Sequence, residues 1–77
     1  MNKARKQHIE AVINRIGELQ AELEGIRDEE QNAYDNMPES IQESERGEKM
    51  CQNIDDLEYA FSALEEAAEY LNDVAQR

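Results

Sequence analysis

From Ile9 onward the apolar residues recur three and four apart, at Ile9, Val12, Ile16, Leu19, Leu23 and Ile26. An α-helix turns once every ~3.6 residues, so this alternation draws one stripe along a helix face, the a and d positions of a heptad. Continuing the register puts Glu30, Ala33 and Met37 on the same seam, with Ile13 and Tyr34 beside it at e positions. A second stripe runs through Met50, Ile54, Leu57, Phe61, Leu64, Ala68, Leu71 and Ala75. Ala60, Ala67 and Val74 widen it with small side chains at g positions. The pattern predicts one helix over about 3–36, a turn over about 37–43 and a second helix over about 44–76.

The break between the stripes contains the only proline. Pro38 disfavours helical geometry at Met37, and Asp35-Asn36 suits a turn. Two restarts are open: Ser40 with Glu43 three residues on forms a capping box, and Ser44 offers a later cap. Gly17 and Gly25 sit inside the first helix, away from the seam, at roughly 1 kcal/mol each relative to alanine. Gly47, near the start of the second helix, costs little if that turn is loose.

Folding the chain back on itself sets Ile16 against Leu64, Leu19 against Phe61, Leu23 against Leu57 and Ile26 against Ile54. Charge points to the same pairing. Residues 1–27 hold five basic and four acidic side chains, whereas residues 55–73 hold seven acidic and no basic ones. Lys3, Arg5 and Lys6 are expected to reach Asp73 and Glu69, and Arg15 to reach Glu65 or Glu66. The fold class is therefore all-α, an antiparallel two-helix coiled-coil hairpin with a core of Ile9, Val12, Ile16, Leu19, Leu23, Ile26, Ile54, Leu57, Phe61, Leu64 and Leu71. Seventy-seven residues make one small domain of marginal stability. Pairing of two hairpins into a four-helix bundle covers the flank of the seam, so a homodimer is expected.

Composition then narrows the function. A net charge of −11 argues against direct binding of nucleic acid or of an anionic membrane. No apolar run approaches a membrane span, and none follows the basic residues Lys3, Arg5 and Lys6 as a signal peptide requires. Cys51 is a lone thiol, which points to a reducing, cytoplasmic setting, and reads as a half-buried hydrophobe beside the seam. His8 is the only histidine and has no nucleophile or orienting partner placed by spacing. Glu30 on the seam lacks the Glu-x-x-His motif that di-metal helix bundles need. No phosphate-binding glycine loop or nucleophile elbow occurs. Neither an enzyme nor a cofactor-binding protein is expected.

The most distinctive surface is the turn. Residues 28–48 carry eight carboxylates against one arginine. Glu29, Glu30, Tyr34, Asp35, Glu39, Glu43, Glu45 and Glu48 are the candidate partner-binding residues, with Tyr59 and Tyr70 on the outer face of the second helix as a secondary surface.

The run Asp28-Glu29-Glu30-Gln31-x-Ala33-Tyr34-Asp35-Asn36-Met37-Pro38-Glu39-Ser40, followed by Gln42-x-Ser44-Glu45-Arg46-Gly47-Glu48, resembles the central motif of small acidic phage and prophage proteins. Cys51, Phe61 and the tyrosines of the second helix depart from their more repetitive Leu-Glu-Glu-Ala pattern. The resemblance implies a protein of the bacterial host cytoplasm that binds a host protein with a basic surface. Some such proteins, anti-CRISPR inhibitors among them, act as DNA mimics toward a nucleic-acid-binding nuclease. The alternative is a structural or adaptor protein that self-associates through its heptad stripes.

Overall fold

Asn2 starts the first helix. Its side-chain oxygen accepts the Arg5 backbone N–H at 2.8 Å, satisfying one of the donors that a helix start leaves unpaired. In the computed structural model, which describes residues 1–77, α1 then runs unbroken over Lys3–Asp35. A single-turn helix α2 follows at Glu39–Gln42, and α3 occupies Glu45–Gln76. The molecule is an all-α helical hairpin, a rod of 58 × 15 × 11 Å.

The reversal is built from two corners, with no backbone in the left-handed region. Pro38 and Ser44 both adopt extended conformations (ψ 146° and 172°) and each ends the helical path. Between them α2 closes on the Pro38 carbonyl, which accepts the N–H groups of Ile41 and Gln42 at 2.9 and 3.0 Å. The start of α2 therefore lies at Pro38, ahead of the capping box expected at Ser40 and Glu43. Ser44 flanks α3 without capping it through its side chain; its hydroxyl donates to the Ile41 carbonyl instead.

Gly47 holds this corner together. It is buried, and a Cβ placed on it would run into the Gln42 carbonyl group and come within 2.7 Å of the Gln42 Cα. The close approach of α2 to the first turn of α3 requires a residue with no side chain here. Gly47 thus belongs to the packing of the turn, where a merely tolerated residue was expected. Gly17 and Gly25 have nothing within 4 Å of the same construction.

The core is narrow. Ile16 and Ile54 are its best-buried side chains, 8% and 6% exposed, while Ile9, Val12, Leu23, Leu57, Phe61, Leu64 and Leu71 are half-buried. Leu19 and Ile26, expected in the hairpin core, remain 48% and 51% exposed. Two helices cover only the strip along which they face each other, and these two residues lie beyond it.

Polar contacts fix the register. The Gln20 amide donates to the Phe61 carbonyl at 3.2 Å, the Asn53 amide to Glu30 at 2.8 Å, and Arg27 to Glu58 at 2.9 Å. Arg27–Glu58 is the one ion pair joining α1 to α3. The pairs expected from Lys3, Arg5 and Lys6 to Asp73 and Glu69, and from Arg15 to Glu65 or Glu66, do not form. Long exposed side chains gain little from such contacts in water, so nothing holds them in paired rotamers.

Candidate protein-binding surface

The turn end presents its carboxylates to water. Glu29, Asp35, Glu39, Glu43, Glu45 and Glu48 are exposed, and Glu30 is half-buried against Asn53. Asp35 accepts the Gln31 amide at 3.0 Å, one helical turn back. Of this set only Glu45 meets a cation, Lys49 at 3.5 Å. These residues converge from three elements because α2 folds back over the junction of α1 and α3. The charge is already concentrated in residues 28–48 of the sequence.

Tyr34 lies at the floor of this end. It shares an open groove with Gln42, Glu45, Glu48, Lys49, Cys51, Gln52 and Asp55. The ring is half-buried, and the Tyr34 backbone carbonyl accepts the Gln42 amide at 2.8 Å, tying α1 to α2. Hydrogen-bonding interaction with the neighbouring Cys51 side chain, followed by burial and the negative charge of Cys51, Asp35 and Glu43, raises the Tyr34 pKa above its ordinary value of 10.0. Each cause favours the neutral phenol. Cys51 is exposed, where a half-buried position was expected.

The groove is acidic with one aromatic side chain. Tyr34 and the carboxylates of Glu45, Glu48 and Asp55 line it, with Lys49 as its one cation. No group of three His, Cys, Asp or Glu side chains converges as metal ligands would. The chain matches no protein-family model, no curated protein and no solved structure. Its function therefore rests on the surface chemistry. No helix is long and apolar enough to cross a membrane.

The secondary surface lies further along α3, where Tyr59 shares an adjoining groove with Asp55. Tyr59 and Tyr70 are 74% and 66% exposed on α3, separated along the rod from the turn. Gln42, Lys49, Cys51, Gln52 and Asp55 complete the Tyr34 groove and are absent from the set chosen on sequence. The heptad contains a partial signal for Cys51, since e positions of paired antiparallel helices flank one seam and both Tyr34 and Cys51 are e residues. Nothing local marks Asp55 or Gln42.

Proposed function

We propose that this protein is a non-catalytic binding protein of the phage type, acting in the cytoplasm of a bacterial host. Its acidic turn engages a basic groove on a host protein, and a defence nuclease whose nucleic-acid site accepts carboxylates in place of phosphates is the target class. The Tyr34 groove carries this reading: an aromatic floor rimmed by Glu45, Glu48 and Asp55, with Glu39 and Glu43 exposed nearby. Lys49, paired with Glu45, is the one cation lining the groove.

Capture of host proteins on the immobilised protein, with duplex DNA as competitor, tests the proposal. Lysine at Glu45, Glu48 and Asp55 is expected to lower capture more than about tenfold, because like charges set together at an interface cost several kcal/mol. Lysine at Glu10, Glu18 and Glu24 makes the same change in net charge away from the turn and is expected to leave capture within about threefold. Equal loss in both variants, or capture indifferent to DNA, would count against a groove-specific DNA mimic.

A structural or adaptor role is the second reading. It is supported by Leu19 and Ile26, two large apolar side chains left about half in water on one helix.

A further inference from the structure

α1 carries a symmetry that the hairpin itself does not use. At about 100° per residue, Val12, Leu19 and Ile26 lie about 40°, 60° and 80° around the helix from Ile16, all on the same side. Gln20 and Arg27, which reach α3, lie on the other side of Ile16. Val12 is half-buried, whereas Leu19 and Ile26 are 48% and 51% exposed. The apolar face continues onto α3 through Leu57, which shares an open groove with Ile26. Val12 and Ile26 stand seven residues to either side of Leu19, roughly 10 Å along the axis in each direction.

Beside this row run the g positions His8, Arg15, Glu22 and Glu29. All four are exposed, and none takes part in an ion pair within the chain. Their character reverses at the midpoint, with Arg15 and His8 toward the open end of the hairpin and Glu22 and Glu29 toward the turn. Lys3, Arg5 and Lys6, also without ion-pair partners, extend the basic half.

We propose that this face binds a second copy of the same chain with the two α1 helices antiparallel, Leu19 on Leu19 and each Val12 on the Ile26 opposite. Charges at g positions set orientation in paired helices. In the antiparallel arrangement each Arg15 faces a Glu22, each His8 faces a Glu29, and the basic open end of one hairpin lies beside the acidic turn of the other. The parallel arrangement puts the two g rows on opposite sides of the seam, so none of these pairs can form. A two-fold axis through Leu19 makes the interface self-complementary and closes the assembly at two copies. The two hairpins then form a four-helix bundle that covers the residues a lone hairpin leaves wet. This inference deepens the second reading above and is independent of the Tyr34 groove, whose failure would appear in the capture experiment alone.

Sedimentation equilibrium of the unmodified protein at roughly 50 μM, where a dimer of micromolar Kd is well populated, is the first measurement. A dimer is expected, and a monomer at that concentration overturns the proposal. Orientation is read by mixing V12C and I26C chains, each also carrying C51S, under mild oxidation. Disulfides need Cβ atoms about 4 Å apart, so the mixed V12C–I26C product should dominate. Dominance of the I26C self-disulfide overturns the antiparallel geometry. As a check that leaves the apolar row intact, R15E should weaken self-association roughly tenfold, since it turns two attractive contacts per dimer into repulsive ones. R15E/E22R should restore it, and a double variant as weak as R15E would overturn the Arg15–Glu22 pairing.

Discussion

Gly17, Gly25 and Gly47 are all helical, yet replacing them with alanine should act in opposite directions. At Gly17 and Gly25 a Cβ meets nothing within 4 Å. Alanine there removes the entropic cost of glycine and should stabilise the fold by about 0.5–1 kcal/mol at each site. At Gly47 the added methyl group meets the Gln42 backbone, which cannot move without opening the α2 corner. G47A should destabilise by roughly 1–3 kcal/mol despite the gain in helix propensity. Thermal melts followed by circular dichroism at one protein concentration separate the signs, at about 4–8 °C per kcal/mol for a chain of this size. A G47A melt at or above that of the unmodified protein would remove the tight corner. Gly47 was partly legible in the sequence, since it sits one heptad before Ile54 and so on the seam. Its partner was not, because the approach of Gln42 depends on how α2 folds back.

At the scale of elements, the hairpin is fastened near its closed end. The Gln42 amide donates to the Tyr34 backbone carbonyl, and Tyr34, Gln42 and Cys51 line one groove, so all three helices meet at this residue. Because the folded-state pKa of Tyr34 is raised, the fold favours the neutral phenol. Its contribution to stability is complete below the ordinary value near 10.0 and is lost as pH rises through the elevated one. Tyrosinate absorbance should therefore contain a delayed component that vanishes in Y34F and shifts to lower pH in C51A. A titration unchanged by C51A would exclude the hydrogen bond as the main cause. The two long helices were readable from their heptads and from Pro38. The inner helix α2 was not, because four residues carry no periodicity and its start depends on the Pro38 carbonyl rather than on a side-chain cap.

For the molecule as a whole, charge is poorly compensated. The net charge is −11, and only Arg27–Glu58 ties the two long helices electrostatically. Repulsion along a rod of this kind opposes folding and is screened by salt, with a Debye length of about 30 Å at 10 mM and about 3 Å at 1 M. The melting temperature should therefore rise with sodium chloride between roughly 10 mM and 500 mM. A flat or falling response would show that ion pairs outweigh self-repulsion. The same lack of compensation leaves the turn end strongly acidic.

The sequence by itself determined the helical hairpin, because apolar spacing and a single proline are local signals whose meaning does not depend on what lies across the fold. It also located the acidic turn. Tertiary structure alone decided which seam residues are covered, since burial of Leu19 and Ile26 depends on the angle at which a second helix approaches. It likewise decided which ions pair, because a few ångströms of register separate a contact from two solvated charges. The Tyr34 groove exists only once three helices meet, so no single stretch of the chain could contain it.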